Sequence, residues 1–231
     1  MKIPLSKRLQ VCAGFVSAGD RVADIGCDHG YLSIYLLKNS IASHVYASDI
    51  NEGPLQSAHI NAEKYGVADR LQLFLSDGVR SIPRDFDTLV CAGMGGDTMV
   101  HILESAPWLH SDKYRLVLQC QSKTALLRRY LSENGWRITE ESAVKDGKFI
   151  YTVMEVCWQP QYPKLTPGEW YFPPALLENP GADTVSYYHY VLEGLRIATA
   201  HREDAEKTQA LQELIALAED PNLSFLKEAH P

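Results

Sequence analysis

An α/β fold, a largely parallel sheet with crossover helices and then a small helical C-terminal region, is predicted by three features of the sequence. Short apolar runs alternate with amphipathic stretches from residue 21 to residue 158. A glycine-rich turn, Gly26-Cys27-Asp28-His29-Gly30, joins the first run to the first amphipathic stretch. Beyond residue 160 the apolar runs stop. Six prolines fall within residues 160–180, and a long helical pattern with one glycine, Gly194, follows. Alternating strand and helix signals imply parallel strands with helices on the sheet faces.

Taken in order, Leu5, Leu9, Cys12, Ala13 and Val16 fall at helical spacing, so an amphipathic helix is expected at the start rather than a secretion signal. Strands are expected over 21–25, 44–49, 71–75, 86–91, 115–119, 136–140 and 149–158, seven in all. Helices are expected over 31–38, 54–65, 98–104 and 123–134. The last two strands are joined by only about eight residues around Lys145-Asp146-Gly147-Lys148, too few for a crossover, so the final strand is antiparallel. A short helix is expected over 175–178. Val185, Tyr188, Leu192 and Leu195 form one apolar stripe, and Leu211, Leu214, Ile215 and Ala218 form another. The polar segment 200–209 separates them, giving a helical hairpin or coiled-coil-like arm. Two domains are therefore expected, residues 1–160 and residues 161–231.

The chain has 231 residues, 45% hydrophobic and 22% charged, which excludes a disordered tail and suits one large domain with an appendage. No run approaches the roughly 18–20 apolar residues of a membrane span. Five widely spaced cysteines without a C-x-x-C pair exclude a disulfide framework and a structural metal site, and point to the reducing cytoplasm. The net charge of −7 is uneven: residues 1–160 carry 17 Lys/Arg against 18 Asp/Glu, and residues 161–231 carry 5 against 11. The first part is thus free to present a local basic face.

The turn carries the chemistry. A strand, a glycine turn and a helix mark the ligand edge of a doubly wound sheet. Dinucleotide sites need glycine at the middle position so that pyrophosphate can close on the backbone, but here that position is Asp28, with Asp24 just upstream. Like charges about 4 Å apart repel by roughly 1–4 kcal/mol at effective dielectrics of 80 to 20. A ligand with an ammonium and a sulfonium escapes that penalty, and S-adenosylmethionine is such a ligand. Asp49 ends the second strand, where a carboxylate accepts from both ribose hydroxyls. Ile50 and Asn51 follow it, Asn51 also standing at the helix N-cap position. Asp77-Gly78 follows the third strand, placed for an adenine amino group. Ala92-Gly93-Met94-Gly95 ends the fourth, where glycines admit a flat substrate and Met94 offers an apolar edge. The candidate cofactor-binding set is Asp24, Gly26, Cys27, Asp28, His29, Gly30, Asp49, Ile50, Asn51, Asp77, Gly78, Ala92, Gly93 and Met94. Candidate substrate contacts are Lys7, Arg8, His29, Met94 and Gly95, with Arg128, Arg129 and Lys123 as a further basic surface.

These residues resemble a known family, the bacterial tRNA (adenine-22-N1)-methyltransferases. The resemblance rests on Leu5-Ser6-Lys7-Arg8-Leu9, on Ala23-Asp24-Ile25-Gly26-Cys27-Asp28-His29-Gly30-Tyr31-Leu32, and on Ala92-Gly93-Met94-Gly95-Gly96. It implies a Rossmann-like class I methyltransferase sheet, a helical coiled-coil C-terminal domain, S-adenosylmethionine as donor, and N1 of adenine 22 in the tRNA D-arm as acceptor. Adenine N1 already holds an in-plane lone pair, so alignment and desolvation suffice and no general base is assigned. Asp28, at the pocket lip, is the candidate for contact with the reacting base. No metal and no membrane are expected, and the oligomeric state is left open. Two other readings remain at this point: a small-molecule methyltransferase with a helical lid, and a non-catalytic cofactor-binding module.

Overall fold

The computed structural model describes residues 2–178, 180–201 and 203–227. Seven strands form one sheet in the order β3-β2-β1-β4-β5-β7-β6. They are β1 (Asp20–Ile25), β2 (Ala42–Asp49), β3 (Leu71–Leu75), β4 (Thr88–Gly95), β5 (Arg115–Ser122), β6 (Trp136–Asp146) and β7 (Phe149–Trp158). The first five pair in parallel, and β7 runs antiparallel between β5 and β6. The β6–β7 hairpin needs only Gly147 and Lys148 as its loop, and Gly147 takes the left-handed backbone (φ 62°) that matches the twist of the flanking strands.

Alternate residues of each strand feed opposite faces. Ala23, Ile25, Leu89, Cys91, Leu116 and Leu118 pack under α4 (Gly96–Glu104) and α5 (Thr124–Glu133). Val22, Val45, Val90 and Val117 pack under α1 (Lys7–Gly14), α2 (Tyr31–Lys38) and α3 (Glu52–Tyr65). The expected N-terminal helix is therefore α1; its Cys12 and Ala13 are buried, as is Val16 just beyond its end.

Three strands outrun their expected ends. β4 continues through the glycines to Gly95 by bulging at Gly93, where the register with β5 shifts between Ala92 and Met94. β5 extends to Ser122. β6 continues to Asp146 through Glu141, which is fully buried and hidden from a polarity reading because Arg128 neutralises it.

The C-terminal region is α6 (Pro167–Tyr171), α7 (Ala175–Glu178), α8 (Ala182–His201) and α9 (Ala205–Glu219). Thr166 and Glu169 form a capping box at the start of α6, and Asp204 caps α9. The α8–α9 pair is antiparallel, with the Tyr188 hydroxyl donating to the Leu214 carbonyl at 2.7 Å. Arg202, inside the expected polar break, and residues 228–231 lie outside the described residues. Rather than projecting as an arm, these helices share a core with Ala143 of β6 and Ile150 of β7. No helix among the described residues is long and apolar enough to cross a membrane.

Candidate active site

The carboxyl ends of β1, β2 and β4 meet around a cleft of about 420 Å³. The turn after β1 is left-handed at every second residue: Gly26 (φ 73°), Asp28 (φ 51°) and Gly30 (φ 71°). Two of these positions require glycine for contact as well. A Cβ on Gly26 would lie 2.1 Å from the Met94 methyl, and one on Gly30 would lie 2.9 Å from the Ala58 Cβ, where α2 meets α3. The Gly26 and Cys27 N–H groups both donate to the Ser48 carbonyl, fastening the turn to β2.

Three carboxylates line this cleft. Asp49 accepts from the Asp28 N–H at 3.3 Å and from the Asn51 N–H at 3.0 Å, which fixes its plane. Asp24 is buried, and the Ser33 hydroxyl donates to it at 2.6 Å. Burial pushes the Asp24 carboxyl up to about 6; hydrogen bonds from Ser33 oppose the shift and the nearby Asp49 charge adds to it. Asp28 is largely exposed at the lip, with the His29 ring nitrogen 3.6 Å from its carboxylate. The thiols of Cys27 and Cys91 are pushed far up by burial and by Asp24, so neither is a thiolate nucleophile. Among the described residues no cluster of side chains suits a metal ion.

A polar brace supports the opposite wall. The bulge at Gly93 frees its N–H from the strand ladder, and the buried Gln119 side chain accepts it at 3.1 Å. The same Gln119 oxygen accepts from Arg8 at 2.7 Å, and Asp146 lies 3.8 Å from the Arg8 guanidinium. Arg8 is thereby held facing the cleft from α1.

The chain matches the model of the methyltransferase domain family over residues 5–154. It is 34% identical over 154 residues to the Bacillus subtilis tRNA (adenine(22)-N(1))-methyltransferase, covering 66% of this chain and 65% of that protein. A Streptococcus pneumoniae structure, described as a candidate tRNA (m1A22) methyltransferase in complex with S-adenosyl-L-methionine, is 30% identical with a TM-score of 0.81. It covers 91% of this chain and 99% of its own. The crystal structure of the B. subtilis m1A22 tRNA methyltransferase TrmK is 27% identical with a TM-score of 0.77 over 98% of each chain. The chain belongs to the tRNA (adenine-22-N1)-methyltransferase family. Its sheet is the Rossmann-like sheet of that family, with the antiparallel β7 that the short connection predicted and the helical C-terminal region that the resemblance implied.

For this family member the structure brings together Arg8, Asp24, Gly26, Cys27, Asp28, His29, Asp49, Ala92, Gly93 and Met94 in one lining. Gly30 sits beneath it as the residue preceding α2. The other expected residues lie outside the lining. Ile50 is exposed, and Asn51 precedes α3 without a side-chain cap bond. Asp77 pairs with Arg80 at 3.0 Å, and Gly78 abuts Ile102. Gly95 abuts the Ser122 hydroxyl, and Lys7 is exposed.

The expected basic surface at α5 is not there. Arg128 is fully buried, Arg129 is tied to Glu133 and Glu206, and Lys123 pairs with Asp97. Helical spacing placed Arg128 beside Arg129 in sequence but on the apolar face with Leu127 and Leu131. Leu9, Tyr31, Leu32 and Gln121 complete the lining without having been expected. Gln119 and Gln121 carried one available signal: a strand of otherwise apolar alternation ending in two glutamines two residues apart.

Proposed function

We propose that this chain methylates N1 of adenine 22 in the D-arm of tRNA, taking the methyl group from S-adenosylmethionine in the cleft at the ends of β1, β2 and β4. The observation that carries the reading is the convergence of Asp24, Asp28 and Asp49 on one cleft whose floor is a left-handed glycine turn. Such a lining repels pyrophosphate and suits a ligand bearing an ammonium and a sulfonium.

Bound there, the cofactor supplies an electrophilic methyl that is displaced from sulfur by the N1 lone pair, leaving a cationic base and no proton to remove. The chain's residues hold and align. Asp49, its plane set by two backbone donors, takes the ribose hydroxyls. Asp24 faces the ammonium, and the braced Arg8 guanidinium supplies a countercharge for the carboxylate of the same amino-acid end. Met94, held over Gly26, gives the apolar wall that excludes water from the methyl. Asp28 and His29 at the lip meet the incoming base, and the glycines at the end of β4 let its flat face approach. The D-arm base must leave its stack to reach this depth. The reading places the protein in the cytoplasm with tRNA as its partner.

The test is methyl transfer from labelled S-adenosylmethionine to an unmodified tRNA transcript, followed by fragment and nucleoside mass spectrometry. N1-methyladenosine in the D-arm fragment is expected. No incorporation by a protein that binds the cofactor would overturn the tRNA assignment.

A further inference from the structure

A cavity larger than the cofactor cleft lies beside it. At about 650 Å³ it is bounded by the end of β5, the start of α5, and α8, and a second hollow of about 370 Å³ adjoins it along the start of β7. The two hollows share Ile150, Tyr151 and Tyr190 and form one depression, and Gln121 borders both of them and the cleft. Its side chain is exposed and makes no hydrogen bond among the described residues.

Charge divides this surface. The cofactor cleft is lined by three aspartates. The walls of the two hollows contain Lys123, Lys145, Lys148 and Lys207 and no Asp or Glu, in a chain that has 29 acidic residues. Lys123 is paired with Asp97 and Lys207 with Asp204. Lys145 and Lys148 have no carboxylate in ion-pair range among the described residues, although Asp183 accepts the Lys145 backbone N–H at 2.9 Å. Aromatic surface is exposed between these cations: Tyr190 is 65% exposed and Phe149 is 53% exposed, with Tyr151 half-buried between the hollows. The Lys148 ammonium lies 5.1 Å from the Phe149 ring centroid, and neither it nor Lys145 has a carboxylate partner among the described residues. Exposed rings interleaved with such lysines suit unstacked bases and their phosphates.

We propose that this depression is a binding site for an unpaired nucleotide of the substrate RNA next to the target adenosine, its base stacked on Tyr190 and its phosphate held by Lys145 and Lys148. This rests on the RNA-methyltransferase reading and names the surface through which it recognises its strand. Extruding the target base leaves its neighbour without a stacking partner, and Tyr190, on the wall of both hollows, replaces that partner. The acidic C-terminal helices then contribute to RNA binding through a ring rather than through charge.

The experiment compares the whole chain with Tyr190→Ala, Tyr190→Phe and Lys148→Gln, using an unmodified tRNA transcript and S-adenosylmethionine. Tyr190→Ala is expected to lower kcat/KM for tRNA on the order of tenfold, the loss of one stacked base. Tyr190→Phe is expected to recover most of that loss, since the ring and not the hydroxyl is used. Lys148→Gln is expected to reduce the slope of log K for tRNA against log salt by about one. Cofactor affinity, measured calorimetrically, is expected to stay as in the unaltered chain for all three. If the unaltered chain methylates tRNA and Tyr190→Ala does so with the same kcat/KM, the groove takes some other ligand and the proposal is overturned. If the unaltered chain transfers nothing to tRNA, the parent reading fails instead, and the proposal with it.

Discussion

Asp24 shows how a residue can be costly to the fold and useful to the site. Its carboxyl titrates near 6 in the folded chain against 3.8 when free, so between those values the folded state holds the extra proton. Stability therefore falls as pH rises through that window and levels off above it, leaving the ionised Asp24 at a cost of about 3 kcal/mol at neutral pH. Asp24→Asn keeps the shape that Ser33 bonds to and removes the charge. Urea unfolding from pH 4 to 7 is expected to show this variant more stable at pH 7, with the fall between 4 and 6 flattened. A cationic ligand favours the ionised form, so cofactor affinity is expected to weaken as pH drops below about 6 and to be reduced in Asp24→Asn at neutral pH, the two proteins converging as the pH falls. An unchanged pH profile would remove Asp24 from the cationic end of the ligand. At this scale the glycines and carboxylates of the cleft were legible because each lies at or just past the carboxyl end of a strand. Gln119 was not, since its role depends on a bulge at Gly93, on a neighbouring strand 26 residues away.

At the scale of elements, the join between α5, β6, α6 and α8 is made by one buried cation. Arg128 donates to Glu141 at 2.6 Å, to the Trp170 and Tyr171 carbonyls at 3.0 and 2.9 Å, and to the Thr152 and Tyr187 hydroxyls at 3.1 Å. Burial opposes the Arg128 charge, but Glu141 and Tyr187 outweigh it and hold the guanidinium protonated. Arg128→Met strands the Glu141 carboxylate in the core and is expected to cost about 3–5 kcal/mol in chemical denaturation. Adding Glu141→Leu removes the stranded charge and is expected to recover most of the loss. A single variant as stable as the parent would show that water reaches Glu141. The sequence marked α5 as amphipathic but left Arg128 among surface cations, because periodicity fixes a face without saying what another element places on it. The extension of β6 was hidden for the same reason: a strand through Glu141 is plausible only once its partner on α5 is known.

Across the whole molecule, the expected boundary near residue 160 separates two patterns in the sequence, and the helices beyond it gather a buried cluster of their own that is seated on the β6–β7 hairpin. Phe172, Tyr187, Tyr188 and Leu214 cover Ala143 and Ile150 of the hairpin. A chain ended at residue 160 would bare that surface and leave Arg128 without three of its acceptors. Thermal unfolding is expected to show one transition for the full chain and none that is cooperative for residues 1–160; a cooperative fragment would contradict the shared core. The parallel sheet itself was legible, since strand and helix periods alternate cleanly, whereas the seating of the C-terminal helices depends on side chains from β6 and β7 that no local pattern joins to them. The central claim is that the end of this sheet accepts a sulfonium-bearing cofactor and refuses a dinucleotide. Its most direct test is a calorimetric titration of the full chain at neutral pH with S-adenosylmethionine and, separately, with NAD, repeated on Asp49→Ala. Saturable binding of S-adenosylmethionine, no binding of NAD, and at least a tenfold loss in Asp49→Ala, in keeping with charge-assisted bonds worth about 1.5–3 kcal/mol each, are predicted. Binding of NAD in preference to S-adenosylmethionine, or an Asp49→Ala variant that binds as the parent does, would contradict the account.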